Sequence, residues 1–189
     1  MKVSREQAVR NRERIVETAA QRFRERGFEG IGVADLMKES GLTHGGFYGH
    51  FSSKEDLIAE ASARALMRSL ALFRKVAEQG EADPLSAIAT AYLTSRHRDK
   101  PGQGCLLAAL GSDVSRQGPT VRRAVTDHLR SAVDLLARLV PGKSKAAGRR
   151  KAISTYATLV GAMVMARAVD DRALSQEILD AALASVKGR

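Results

Sequence analysis

The chain has 189 residues, 44% of them hydrophobic, so it can hold one domain or two small ones around a substantial core. Its single cysteine, Cys105, excludes an internal disulfide framework and a Cys-rich zinc site within one chain, and there is no apolar run of about eighteen residues to span a membrane. The formal charge of +10 suggests a nucleic-acid partner, yet residues 1–60 hold ten Lys/Arg and ten Asp/Glu, so the excess lies in the remainder and does not locate a DNA site.

The first 26 residues are locally basic, with eight basic and four acidic side chains. The opening MKVSREQAVRNRER is too charged for the apolar segment of a signal peptide, and the expected location is cytoplasmic with no membrane partner. Ser4 and Gln7 have capping-box spacing, which predicts a helix from Arg5 to about Arg26 with Ile15, Val16, Ala19, Ala20 and Phe23 inward and residues 1–4 as a basic arm. Val33, Leu36, Met37 and Ser40 recur at i, i+3, i+4 and i+7, one face of a short second helix, and Gly41 follows where a left-handed residue turns the chain. Thr43 then offers a side-chain oxygen to the free N–H groups of a third helix carrying His44, Gly45, Gly46, Phe47 and Tyr48. Two short helices joined by a Gly turn read as a helix-turn-helix, the second being the candidate DNA reader.

Ser52 and Glu55 repeat the capping-box spacing and open a fourth helix from Ser53 to about Gln79, carrying Leu57, Ile58, Ala61, Leu66, Leu70 and Phe73 up to a break at Gly80 to Pro84. Leu85, Ile88, Ala89, Tyr92 and Leu93 mark a fifth helix. The RHRDKPGQG that follows is expected as a loop, with Arg96, His97 and Arg98 a solvated helix end. A sixth helix starts beside Cys105. Val121, Val125, His128, Ala132, Leu135, Leu136 and Leu139 predict a seventh, ended by Pro141-Gly142 and an exposed basic loop through Lys151. Ile153 to Val169 and Ser175 to Val186 give the last two. The former is small or apolar around most of its girth, more than one chain of this size can bury, so these two helices are expected to pair with their copies in a C2 dimer through a four-helix interface. The fold class is all-α, about nine helices without a sheet.

From Arg12 to Phe23 the chain carries R-x-x-I-x-x-x-A-x-x-x-F, followed by Gly27-Phe28, Leu36 to Gly41, Phe47-Tyr48, His50-Phe51, and Ser53-Lys54-Glu55 before Leu57. On these residues its first third resembles the TetR family of bacterial transcription regulators. The resemblance implies a helix-turn-helix DNA-binding domain over 1–52 and a helical ligand-binding and dimerisation domain over 53–189. It further implies DNA contacts from Thr43, His44, Gly45, Gly46, Tyr48, His50 and Lys54. His44 is suited to a base edge or phosphate, Tyr48 to a phosphate, and His50 and Lys54 to the backbone, while Phe47 and Phe51 clamp the motif as core. Gly32 stands where the family usually has a small hydroxyl residue; it caps a helix acceptably but brings no hydroxyl to a phosphate. Three glycines in the reader, Gly45, Gly46 and Gly49, each disfavour a helix by roughly 1 kcal/mol, which calls for a use such as close backbone approach to DNA, against the alternative of a loose turn.

The resemblance also implies a small-molecule inducer in the second half. A pocket between the fifth and eighth helices would be lined by Tyr92, Leu93, Leu106, Ala109, Leu110, His128 and Met163, the same residues serving equally as plain core. Cys105 lies at a predicted helix N-terminus with Arg96, Arg98 and Lys100 near in sequence, an arrangement that lowers a thiol pKa. Gly104-Cys105-Leu106 resembles a family branch that includes electrophile sensors; the alternative is a small buried thiol filling space. No Ser/His/Asp grouping, paired-acid motif, Gly-rich phosphate loop or metal-ligand spacing points to an enzyme, a cofactor or a metal. The expected function is a dimeric, ligand-responsive regulator, a repressor on a pseudo-palindromic double-stranded operator, released by a small-molecule or thiol-reactive inducer. The alternative is an architectural DNA binder of low specificity.

Overall fold

The computed structural model describes residues 4–79, 82–140 and 144–188. The described residues form nine α-helices and two short 3₁₀ turns without a strand. Helix α1 (Arg5–Arg26) starts as its capping spacing predicts, the Ser4 hydroxyl accepting from the Gln7 N–H at 3.2 Å, and ends at Gly27, whose φ of +82° only glycine adopts freely. Helix α2 (Val33–Glu39) begins at Gly32, which lends it no side-chain cap, and closes on Gly41 at φ +69°. There the Leu42 N–H donates to the Met37 carbonyl and the Gly41 N–H to that of Lys38, both at 2.9 Å, the Schellman pairing that turns the chain sharply.

The third helix of the helix-turn-helix is a 3₁₀ turn, His44–Gly49, and the Thr43 side chain makes no capping bond to it. Three glycines in six residues leave too little propensity for α-helical pairing, so this segment keeps the tighter spacing. Helix α3 (Lys54–Ala77) is capped by Ser53, accepting from the Asp56 N–H at 3.1 Å; the box expected from Ser52 and Glu55 is shifted by one residue, and the Ser52 hydroxyl instead donates to the Asp56 carboxylate. Helix α4 (Pro84–Tyr92) begins with proline in its first turn, where the missing N–H costs nothing.

Part of the loop expected over residues 96–104 is helical. Thr94 accepts from the His97 N–H and starts α5 (Ser95–Asp99), and a 3₁₀ turn, Pro101–Gln103, follows. Helix α6 (Leu106–Val114) comes next, with Cys105 at its N-terminus as expected, then α7 (Pro119–Arg138). The basic stretch before Lys151 is mostly the first two turns of α8 (Lys145–Ala168), capped by Ser144, with Arg149 paired to Asp134 of α7 at 2.6 Å. Helix α9 (Arg172–Lys187) closes the fold, its first N–H groups held by Asp171. The expected breaks at Gly80 and at Pro141-Gly142, and the first three residues of the basic arm, lie outside the described residues. Among the described residues no helix is long and apolar enough to cross a membrane.

Two buried clusters organise the molecule, and α3 belongs to both. Leu57, Ile58, Ala61, Ala65 and Leu66 join α1, α2 and the 3₁₀ reader, together with Leu106, Leu110, Val121 and Val125 from α6 and α7. Farther along α3, Leu70, Phe73 and Val76 pack with α4, α7, α8 and α9. Each fully buried large side chain contributes roughly 1.5–3 kcal/mol, so a rod anchored at both ends resists bending between them.

His128 of α7 is buried at 8% exposure, with Nε2 3.5 Å from the Tyr156 hydroxyl, and burial lowers its pKa to about 4. The folded value lies below the unfolded one of about 6.5, so stability is complete above pH 6.5 and is lost as pH falls through 4, by up to about 3 kcal/mol. Urea unfolding of His128→Gln should show a shallower loss than the parent across that window; identical pH profiles would contradict this assignment.

Candidate functional site

The helix-turn-helix is held from behind by aromatic side chains. Phe47 and Phe51 are buried, their rings stacked at 5.5 Å, and Phe47 meets Tyr48 edge-on at 5.3 Å. Arg12 of α1 lies 4.2 Å above the Phe51 ring, donates to the His50 carbonyl and pairs with Glu60 of α3 at 2.5 Å. One guanidinium thus joins α1, the end of the reader and α3.

What this leaves facing solvent is sparse. Thr43, His44, Gly45 and Gly49 are exposed, Gly46 and His50 half-buried, and Tyr48 is 72% exposed, unusually open for an aromatic residue. A Cβ at Gly45 or Gly49 would meet nothing within 4 Å, and one at Gly46 would only touch Thr43 and Met37 at ordinary contact distances. None of the three has a positive φ, so neither backbone strain nor internal crowding requires glycine there. Lys54, in the first turn of α3, stands 3.3 Å from the Glu29 carboxylate, an exposed pair that contributes little to stability.

The local basic surplus is largely engaged within the chain. Arg12 pairs with Glu60, Arg22 with Glu25 and Glu39, and Arg26 with Glu39 at 3.3 Å. Arg24 is buried at 6% exposure, and its Nε and Nη2 both donate to the Gly102 carbonyl. Arg5, Arg10 and Arg14 of the segment remain exposed, as does Lys38 at the end of α2.

Most of the residues expected to line an effector pocket between α4 and α8 lie in the two cores. Leu93 and Met163 belong to the second core and Leu106 and Leu110 to the first; Ala109 packs against the first and His128 meets Tyr156. These six residues pack the core, while Tyr92 and Cys105 line an opening of about 480 Å³ between α1, α3 and residues 91–105. Arg24, Arg68, Arg96 and Lys100 bring positive charge to it, and Glu17, ion-paired with Arg68, brings a carboxylate. Sequence reasoning did not single out Arg24, though its spacing from Val16 and Ala20 at i, i+4, i+8 places it on the inward face of α1.

His97 is half-buried rather than a solvated end. Its Nδ1 stands 2.7 Å from the Tyr92 carbonyl, and Nε2 accepts the Cys105 N–H at 2.9 Å, a pattern only the neutral Nδ1–H tautomer satisfies. Burial pushes the His97 pKa down, partly offset by the Tyr92 carbonyl, consistent with that neutral state. Arg98 contacts Asp99 and the Ser175 hydroxyl, and Arg167 of α8 donates to the His97 and Arg98 carbonyls. Cys105 is buried, and the Tyr92 hydroxyl stands beside its sulfur without closing a hydrogen bond. Among the described residues no cluster of His, Cys, Asp or Glu could hold a metal ion.

Comparison with known proteins follows the same division. The family model described as bacterial regulatory proteins, tetR family, matches residues 15–61, which span α1, α2, the reader and the start of α3. The transcriptional repressor DhaR of Mycobacterium sp. is 27% identical over 111 residues, covering 59% of this chain and 56% of its own. The repressor NemR of Escherichia coli is 27% identical over 128 residues, covering 66% and 64%. The chain spans about half the length of the curated relatives it matches. Structural similarity extends farther: the reduced form of E. coli NemR superposes over 95% of this chain and 96% of its own with a TM-score of 0.79 and 26% identity.

The aromatic clamp has a measurable weight. Phe47→Ala should destabilise the protein by about 3–5 kcal/mol, whereas Tyr48→Ala, which removes an exposed ring, should cost under about 1 kcal/mol in chemical denaturation. Equal losses would mean that Tyr48 is structural.

Proposed function

Because the chain belongs to the TetR family of bacterial regulatory proteins, we propose that it is a transcriptional repressor that binds a pseudo-palindromic DNA operator as a homodimer and leaves it when a small molecule binds. The observation that carries this reading is the reader itself, an exposed edge of Thr43, His44, Gly45 and Tyr48, with Gly46 half-buried beside it, braced by the buried Phe47–Phe51 stack and Arg12. Residues 1–52 form the DNA-binding part, and 53–189 sense and dimerise. Tyr48, His50 and Lys54 reach phosphates and His44 a base edge, with Lys54 exchanging Glu29 for a phosphate oxygen. The glycines admit the DNA backbone closely, since nothing within the chain occupies the space a side chain would take at Gly45 or Gly49. With so few base readers, operator choice rests partly on DNA shape.

Dimerisation through α8 and α9 is supported by the apolar surface these helices leave uncovered: Ile153, Val164 and Met165 on α8, Leu174 on α9. Gly161 adds a flat patch on the same helix. Two copies of this pair make a four-helix interface and set two readers about one DNA turn apart. Repression is supported by DhaR and NemR, both repressors by name. That the similar NemR structure is described as a reduced form supports Cys105 as a second, thiol-based input, reached through the cavity it lines.

Purified protein should bind a duplex from its own upstream region at least about tenfold tighter than scrambled DNA at fixed salt; equal affinity would favour an architectural role. Gly45→Ala should leave thermal stability unchanged or raise it by about 0.4–1 kcal/mol while weakening operator binding, a split that separates DNA approach from a loose turn. Met165→Glu should yield folded monomers in sedimentation and lose the operator; a persisting dimer would remove the α8–α9 interface.

A further inference from the structure

The cavity against α1 contains an unusual charge. Arg24 is a buried guanidinium whose protein partner is a single neutral carbonyl, that of Gly102, and its Nη1 has no partner at all. Among the described residues it forms no ion pair; Glu17 and Glu25 attract it from beyond contact distance and Arg68 repels it. Burial lowers its pKa only to about 10, so the charge is present at neutral pH. A buried cation without a direct ion-pair partner is costly, and an anion seated in the cavity would offset that cost.

A second orphan lies in the same wall. Tyr92 is 4% exposed, and its hydroxyl, beside the Cys105 sulfur, closes no hydrogen bond. Arg68, Arg96 and Lys100 add positive charge around the rim, outnumbering Glu17, while Ala65, Leu72, Phe73 and Ala91 supply apolar surface. The volume of about 480 Å³ is that of a pocket for a small organic molecule rather than an inorganic ion.

We propose that this cavity binds a small organic carboxylate with an apolar body, its carboxylate accepting from the Arg24 guanidinium and the Tyr92 hydroxyl while its body rests on Leu72 and Phe73. A carboxylate matches the guanidinium fork with two parallel hydrogen bonds, where the Gly102 carbonyl offers one oxygen. The ligand therefore competes with Gly102 for Arg24. That exchange acts between the two parts of the molecule, because Arg24 belongs to α1 beside the reader and Gly102 to the segment leading into α6. Gly102 lies against α1, where a Cβ would meet the end of the Glu25 side chain, so releasing its carbonyl loosens the contact between residues 101–103 and α1. The regulatory consequence rests on the proposed function; the binding site does not.

The test is calorimetric titration of the full chain, without DNA, using octanoate and phenylbutyrate against their neutral amides. At least one acid should bind about tenfold or more tightly than its amide, and Arg24→Gln should reduce that affinity about tenfold or more. Should Arg24→Gln fail to fold, Tyr92→Phe keeps the question open to measurement, since it deletes only an unpaired hydroxyl and should weaken the acid severalfold with an unchanged melting transition. Acids binding no better than amides, absence of binding by either acid, or affinity unaltered in the folded variants would overturn the site. Acid binding by a protein with no specific operator would refute the regulator reading alone, whereas a specific operator complex with no acid binding would refute the carboxylate site alone.

Discussion

Helix α3 is the constraint on which the other parts depend. Its 24 residues run unbroken from the Ser53 cap beneath the reader to Ala77 in the second core, and its buried side chains divide between two clusters. Leu57 and Leu66 fix it to the DNA-binding helices, and Leu70 and Phe73 fix it to α4 and α8. Since both ends are packed, the reader cannot pivot freely on the rest of the chain. Its position is reset only if α3 or its neighbours repack together, which is the mechanical requirement for coupling two distant sites.

Around that rod the basic residues have separate uses, and net charge describes none of them. Arg12 braces the reader through an aromatic face, a carbonyl and a carboxylate. Arg22 and Arg26 converge on Glu39 and tie α1 to α2. Arg24 points into the molecule and pins residues 101–103 to α1 through Gly102. Few cations in the first 26 residues therefore stay free of carboxylates and carbonyls, Arg5 and Arg14 being exposed without an ion pair among the described residues and Arg10 meeting Glu6 at 3.7 Å.

The segment from Thr94 to Cys105 is a hub rather than a connector. His97 joins the end of α4 to the start of α6 by accepting from the Cys105 N–H and meeting the Tyr92 carbonyl, and Arg167 reaches across from α8 to cover two carbonyls of α5. Because the His97 bonds suit the neutral imidazole, protonation there would remove the acceptor that holds the Cys105 backbone. Four helices and the cavity wall thus meet at one polar cluster inside otherwise apolar packing.

Local signals gave the sequence its strongest readings. Ser4, Gly41 and the apolar spacing of α1, α2, α7 and α9 are consequences of short-range backbone chemistry, and the family motif from Arg12 to Leu57 lies within such elements. Where a choice between neighbours was needed, sequence was weaker: Ser52 and Ser53 both offer a hydroxyl, and Ser53 caps α3 while Ser52 donates to the Asp56 carboxylate. The glycine-rich reader became a 3₁₀ turn, and the charged RHRDK stretch folded partly into helix because Thr94 caps it and Arg167 covers its carbonyls. By itself the sequence determined the all-helical class, the helix-turn-helix and the inward faces, since periodicity and capping act within a few residues. Only the tertiary structure decided which cavity is open, which arginines are engaged, and that Arg24, Tyr92 and Cys105 share a wall. Those facts depend on side chains far apart in the chain, and no local pattern encodes their meeting.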